Sequence, residues 1–411
     1  MNLAALAENT ALPPIEITGL SADSRQIEPG FLFAALPGTK ADGSRFIDAA
    51  IEKGAAAILA PPGTALPSRE TPLIEDRNPR RRLALMAARF YQGQPDIVVA
   101  VTGTNGKSSV VDFCRQLWQA AGYRAASMGT LGVIGDAALE GPGLTTPDPV
   151  AIHKALKALK EGGTEHLAME ASSHGLAQFR LDGVRIHAAG FTNLSRDHLD
   201  YHPTYDDYFH AKLRLFGDLL PPSGTAVINA DSHVYEDIAD VCWGRGIRLL
   251  SVGQRGDLAL DRQTPRPDGQ DLGVRFFGRR FDIRLPLIGS FQASNALIAA
   301  GLIIAAGEEP EDVFAALPAL RPVAGRMELV GRTEDGAAVF VDYAHTPDAL
   351  ENVLRALRPH TEGQLVVVFG AGGDRDSGKR PLMGKVAASL ADRAYVTDDN
   401  PRTEEASHIR R

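Results

Sequence analysis

The segment "DIVVAVTGTNGKSSVVDFC", Asp96 to Cys114, constrains this chain more than any other. A β-rich apolar run, Ile97 to Val101, feeds a glycine turn, and Lys107, Ser108 and Ser109 open a stretch with helical periodicity. Strand, glycine turn and helix N-terminus together cradle anionic phosphate with backbone N–H groups and a helix dipole. The usual spacing of a phosphate loop sets a glycine five residues before Gly106, where Val101 stands, so this loop is a variant. Gly103 and Gly106 let the backbone approach phosphate, Lys107 can lie against the β- and γ-phosphates, and Ser108 can ligate Mg²⁺. The plainer alternative is a glycine-rich strand–helix turn with an exposed lysine.

Strand-like and helix-like segments alternate along most of the chain, which predicts α/β architecture. A length of 411 residues exceeds one core, so two or three domains are expected. The first, 1–95, holds "FLFAAL", the helix "RFIDAAIEKG" and "AAAILA", and leaves through "YQGQPD". The second, 96–322, holds the phosphate loop, the strands "EHLAMEASS", "HAAGFTNLS" and "GTAVINAD", and the helix "NALIAAGLIIAAG". "LRPVAGRME" reads as a hinge into the third, 323–411, with strands "AAVFVDYA" and "QLVVVFGAGG". A third domain ending just past "RAYVTDD" is short for a doubly wound sheet and reads as incomplete.

The net charge of −8 argues against a general nucleic-acid or acidic-membrane binder. Two cysteines without metal spacing suit a reducing cytosol, and the N-terminus lacks the build of a signal peptide. The longest apolar run, from Ala296, is too short to span a bilayer. A cytoplasmic chain is expected.

Other stretches carry chemistry. Glu170, at the end of the strand in "MEASSHGLAQFRLDG", stands where a metal ligand would, with Ser172, Gln178 and Arg180 beyond it; a plain polar loop fits as well. "SRDHLDYH" gathers Asp197, His198, Asp200 and His202, enough for a hydrated Mg²⁺ site in which His198 partners Glu170; two histidines could suggest zinc, but no third ligand has suitable spacing, and hydrogen-bonded structural histidines fit as well. Lys212 lies on an amphipathic helix, where a solvated lysine is the simpler reading. "GRME" and "VDYAHTPDAL" supply Arg326, Asp342 and His345, and "GAGGDRDSGKR" is a second glycine-rich turn, with Arg375. "DDNPR" brings Asp399, Asn400, Pro401 and Arg402 to a proline-fixed turn that could grip a zwitterion, or be an ordinary Asn-Pro turn.

"VTGTNGKSS", "MEASSHGL", "NLSRDHLDYH", "GSFQASNALIAA", "GRME", "DYAHTPDAL" and "GGDRDSGKRPLM" occur in the order seen in the Mur ligases of peptidoglycan synthesis. Over essentially its whole length the chain resembles that family. "DSRQIEPGFLFAALPG" and "DNPR" are similar to the branch that adds meso-2,6-diaminopimelate to UDP-N-acetylmuramoyl-L-alanyl-D-glutamate. The resemblance implies three α/β domains: an N-terminal UDP-substrate domain, a central parallel-sheet ATPase and a C-terminal Rossmann-like amino-acid domain. It implies an ATP- and Mg²⁺-dependent amide ligase, monomeric, working through an acyl phosphate.

Carried over by residue, Gly103, Thr104, Asn105, Gly106, Lys107, Ser108, Ser109, Asn295, Arg326, Asp342 and His345 would bind ATP. Glu170, His198 and Ser108 would hold Mg²⁺, and Lys212 matches the family's carbamylated lysine, formed with CO₂. Ala22, Ser24, Thr39, Lys40, Ala41, Thr145, Thr146, Ser172, Gln178 and Arg180 would meet the UDP-substrate; Arg375 and Asp399 to Arg402 would meet diaminopimelate. Three places depart from the pattern: serines for threonines at 108–109, Gln292 for asparagine, and "TKA" for a histidine-containing form at Thr39. Beyond "DNPR" the family continues with helices and a Gly/Glu-bearing loop that complete the diaminopimelate pocket. Two rival readings remain, a relative such as folylpolyglutamate synthase and a non-catalytic nucleotide- and UDP-sugar-binding protein.

Overall fold

Short apolar runs near the N-terminus pack on both faces and so become strands β1 (Gly19–Ser21), β2 (Phe31–Ala34), β3 (Ala57–Ala60) and β4 (Leu73–Glu75). They pair in chain order, all parallel, in the computed structural model, which describes residues 1–38, 42–67, 70–135, 145–266 and 268–411. Parallel neighbours need crossovers, and the helix Ile47–Glu52 supplies the one between β2 and β3. The helix Pro79–Tyr91 starts cleanly because Asn78 caps the backbone N–H of Arg81 and proline occupies the first turn.

That helix packs against a second, Pro149–Glu161, capped by Asp148. By contact, 146–164 and 174–185 belong to one compact unit with Met1–Asp96, although sequence order sets them inside the stretch 96–322. Asp182 helps fasten this unit, buried and paired with Arg81 Nε at 3.0 Å.

The remaining residues form the second unit. Its sheet contains β5 (Ile97–Thr102), β6 (Ala125–Gly129), β7 (Gly132–Ile134), β8 (His166–Glu170) and β9 (Ala188–Phe191). It continues with β10 (Thr225–Asn229), β11 (Arg248–Gly253), β12 (Leu258–Arg266), β13 (Gly269–Phe276) and β14 (Arg279–Leu285). The order is β14-β13-β12-β11-β10-β9-β5-β8-β6-β7, parallel in the middle and antiparallel at both margins. The chain leaves β5 first toward β6 and later returns on the other side as β9. That reversal opens a crevice at the carboxyl ends of β5, β8 and β9. The helix Ser290–Ala305, apolar nearly all round, is buried against β9 to β11 and the helix Lys107–Ala120.

After "LRPVAGRME" come the hairpin β15 (Glu328–Arg332) and β16 (Ala338–Val341) and the parallel pair β17 (Val366–Phe369) and β18 (Arg393–Val396). Helices Pro347–Leu357 and Lys379–Leu390 pack there around Leu350, Leu354, Leu365, Met383 and Ala387. The fold is the expected α/β architecture with a parallel core. Among the described residues no helix is long and apolar enough to cross a membrane.

Candidate active site

The turn after β5 is fixed from beneath by the chain leaving β9. Thr104 N donates to Asn193 O and Asn105 N to Asn193 Oδ1, both at 2.9 Å, while Thr192 Oγ1 donates to Asn105 O at 2.6 Å. Gly103 and Gly106 sit at φ 143° and 86°, and a Cβ on either would run into Thr192 or Asn295. Glycine is therefore required twice, by backbone conformation and by space. The helix Lys107–Ala120 follows at once, leaving its first N–H groups aimed into the crevice. Lys107 Nζ curls back to Gly103 O and Thr104 O, at 3.0 and 2.8 Å. Burial lowers its pKa and Arg326 adds to that, against the opposing charges of Glu170 and Asp197.

Glu170, buried at the end of β8, faces the first turn of that helix. It accepts from Ser108 Oγ at 2.9 Å and from Thr130 N at 2.8 Å, both on Oε1, and from Thr130 Oγ1 on Oε2 at 3.3 Å. Gly129, ending β6, makes room for this carboxylate, since a Cβ there would collide with it. Arg326 reaches across from the later part of the chain, its Nη2 donating to Ser108 Oγ at 3.1 Å.

Lys212 is almost wholly buried, contrary to the solvated reading its helix suggested. Its Nζ donates to Gly103 O at 2.7 Å and lies over the Tyr208 ring. Burial, with nearby Lys107, drives its pKa well below the usual lysine value, against the opposing charge of Asp197. Asp197, also buried, has His198 Nε2 at 3.4 Å and His345 Nε2 at 3.6 Å. Burial opposes its ionisation, but a hydrogen bond from His345 and the charges of His198, His345 and Lys379 hold the carboxyl well below the ordinary range. His198 itself adopts the left-handed φ of 54°, uncommon for a non-glycine residue.

One cleft is lined by Thr104 to Ser109, Thr145, Glu170, His198, Asn295, Arg326, Asp342 and His345. Twelve of its lining residues were singled out in the sequence as nucleotide or metal contacts and one, Thr145, as a UDP-substrate contact. Asp342 accepts from the backbone N–H of Met327 and Ala344, both at 2.8 Å, and burial raises its pKa. Asn295 Nδ2 donates to the buried Gln292 at 3.1 Å, so the glutamine at that departure from the family pattern has a defined partner. Asp197, from the acidic and histidine-rich stretch noted in the sequence, also lines the cleft, as do Thr130 and Asn193, to which no role was given. For magnesium the donors are suitable: a buried carboxylate beside a hydroxyl, next to a phosphate turn. Among the described residues no three His, Cys, Asp or Glu side chains cluster as a metal cage. Mg²⁺ does not need one, because waters and phosphates complete its shell.

Farther along, Arg402 Nη1 donates to Gly373 O at 2.5 Å and Gly373 N to Asn400 O at 2.9 Å, so "DDNPR" and "GAGGDRDSGKR" form one double turn at the ends of β17 and β18. Arg375 meets Asp200 at 3.4 Å. In the first unit Arg180 bonds Thr146 O at 2.6 Å and Gln178 Oε1 at 2.8 Å, and Ser24 opens a short helical turn after β1. Ala22 lies just before that turn and Ser172 follows β8. Thr39, Lys40 and Ala41 lie outside the described residues.

Fold and site together define a phosphate-binding ligase architecture, and the chain belongs to the Mur ligase family. Three of the family's domains match in order, the "Mur ligase family, catalytic domain" at 16–91, the "Mur ligase middle domain" at 101–303 and the "Mur ligase, glutamate ligase domain" at 325–411. Among relatives, the UDP-N-acetylmuramoyl-L-alanyl-D-glutamate--2,6-diaminopimelate ligase of Caulobacter vibrioides is 54% identical over 96% of this chain and 82% of its own length. The ligase of the same name from Bradyrhizobium diazoefficiens is 52% identical over 97% and 83%. A solved ligase of that name superposes with a TM-score of 0.78 at 33% identity, covering 100% of this chain and 84% of that one. A folylpolyglutamate synthase from Mycobacterium tuberculosis, TM-score 0.63 at 20% identity over 80% of this chain and 81% of its own, shares the fold alone.

Proposed function

We propose that this chain is the ATP-dependent, ADP-forming ligase that joins meso-2,6-diaminopimelate to UDP-N-acetylmuramoyl-L-alanyl-D-glutamate in peptidoglycan precursor synthesis. The observation that carries this reading is identity above one half, over nearly the whole chain, with ligases of that name. The cluster of Lys107, Ser108, Glu170 and Lys212 around one phosphate turn agrees with it.

A carboxylate resists attack by an amine, so it must first be activated. A γ-carboxylate oxygen of the glutamyl residue attacks the γ-phosphorus of ATP, and ADP leaves. The amine of diaminopimelate then adds to the acyl carbon of the resulting acyl phosphate, loses a proton, and phosphate departs as the amide forms. Catalysis of this kind is mainly positioning and charge stabilisation. The backbone N–H groups of Gly103 to Ser109 hold the phosphates, and Lys107, released from the turn carbonyls, neutralises the γ-phosphate in flight. Asn295, Arg326, Asp342 and His345 hold the rest of the nucleotide. Ser108, Glu170 and His198 would hold Mg²⁺, which draws charge off the phosphate oxygens. Lys212, its pKa depressed by burial, is the amine that would carry a CO₂-derived carbamate. Its anion would then offer a further oxygen to a metal.

The UDP-substrate falls to Ala22, Ser24, Thr39 to Ala41, Thr145, Thr146, Ser172, Gln178 and Arg180. Arg375 and Asp399 to Arg402 take the carboxylate and ammonium of the incoming amino acid. In this reading residues 1–95, 96–322 and 323–411 are the acceptor, ATP and amino-acid domains of a monomeric cytoplasmic enzyme. The test is phosphate release by the purified chain with ATP, Mg²⁺ and the UDP-dipeptide, with and without diaminopimelate. Release that depends on diaminopimelate supports the ligase; nucleotide binding without it would leave only a binding protein, and turnover with a folate acceptor would point to the folate branch.

A further inference from the structure

Glu170 is reached from two directions. Ser108 and, through it, Arg326 approach from the nucleotide side, whereas Thr130 approaches from the turn that ends β6. Thr130 contributes two separate groups. Its backbone N–H fixes Oε1 at 2.8 Å and would survive any side-chain change, while its hydroxyl sits 3.3 Å from Oε2 and 3.0 Å from Thr145 Oγ1. A hydroxyl has one proton and two lone pairs. With the proton on Glu170 Oε2, the remaining capacity is that of an acceptor, which Thr145 Oγ1 fills by donating. Thr145, Thr130, Glu170, Ser108 and Arg326 thus form one unbroken run of polar contacts along the cleft.

We propose that Thr130 is a positioning residue of the reaction: its hydroxyl ties the acceptor-side Thr145 to the Glu170 carboxylate, so that acceptor binding sets the orientation in which Glu170 meets magnesium. The proposal rests on the ligase reading for the roles of Thr145 and Glu170. Nothing in the sequence around "SMGTLGVI" signals it, because the contact is made between separate strands. Gly129 supports it sterically, since any side chain there would push Glu170 off the Thr130 turn.

The test uses Thr130→Val, which keeps shape and backbone N–H but deletes the hydroxyl, and Thr130→Ser, which restores it. The first readout needs no turnover: the Mg²⁺ concentration at which a fluorescent ADP analogue is half-bound. Thr130→Val should raise it roughly tenfold, the low end for a hydrogen bond to a charged acceptor. It should also raise KM for the UDP-dipeptide more than it lowers kcat, and Thr130→Ser should return both toward the starting values. If Thr130→Val shifts the melting temperature, Thr145→Val, which removes the other partner of the same hydroxyl, should reproduce the loss of acceptor affinity. Unchanged Mg²⁺ dependence in a folded Thr130→Val protein overturns the proposal. Because the Mg²⁺ titration is independent of diaminopimelate, it stays informative even if the ligase assay fails.

Discussion

Lys212 offers a clean separation of stability from activity. In Lys212→Met the thioether chain refills nearly the same buried volume and takes the place of Nζ over the Tyr208 ring, and the hydrogen bond that disappears is Nζ to Gly103 O at 2.7 Å. Gly103 O keeps a partner, because Lys107 Nζ also donates to it at 3.0 Å. The lost bond is worth about 0.5–1.5 kcal/mol. Removing a buried amine that is costly to charge offsets part of this. The net change in folding stability should stay within about 1 kcal/mol, or about 2 °C in melting temperature for a domain of this size. Activity should fall far more, about 10²–10³-fold, as when one pre-placed electrostatic group is deleted. The pH profile carries a second signature. The lysine pKa is depressed on folding from 10.5, so between the native value and 10.5 the unfolded chain binds the extra proton. Stability from this group therefore rises with pH across that window and is lost as pH falls, and Lys212→Met should flatten that slope. Melting curves from pH 6 to 10 and diaminopimelate-dependent phosphate release test both parts, and short carboxylates should partly rescue Lys212→Ala. Activity of Lys212→Met within a few-fold of the parent would refute the carbamate role, as would a large drop in melting temperature accounting for the loss.

Two further outcomes follow from the site. Gly106→Ala forces alanine into the left-handed region, about 1–2 kcal/mol, and displaces Asn295 from Gln292, about 0.5–1.5 kcal/mol more. A denaturant titration should show a combined loss of about 2–3 kcal/mol together with weakened ADP binding; an unchanged midpoint would mean that the turn relaxes freely. Arg402→Ala should raise KM for diaminopimelate at least about tenfold while nucleotide binding holds, and Arg402→Lys should not restore it, because a point ammonium cannot replace a planar fork. Equal KM values for parent and variant would remove Arg402 from amino-acid capture.

Local features were readable in the sequence because they are set by neighbours along the chain. The strand, turn and helix at Ile97 to Ala120, the buried helix from Ser290, and Glu170 at a strand end all follow from periodicity and glycine placement. Features decided across the fold were hidden. Amphipathic spacing shows that Lys212 shares a helix with core residues, yet not that its own tip ends inside the protein under the phosphate turn; only the family resemblance reversed that reading. Thr130 carries no motif, and Asn193 opens one without its role being readable, since each matters through a partner forty or more positions away. Likewise, the helix Pro149–Glu161 has an apolar face whose periodicity cannot say that Pro79–Tyr91 receives it.

The two borders of the ten-stranded sheet are ended differently, and each ending discourages a neighbouring molecule from docking onto it. At one margin β7 is only three residues long, too brief to template an added strand. At the other, β14 reads "RRFDIRL", with Arg279 paired to Glu311 and Arg284 to Asp268 and Asp271. A strand arriving there would have to strip and crowd those charges before its first backbone bond formed. A wide, apolar-cored sheet can thus be carried at high protein concentration without growing sideways into aggregates.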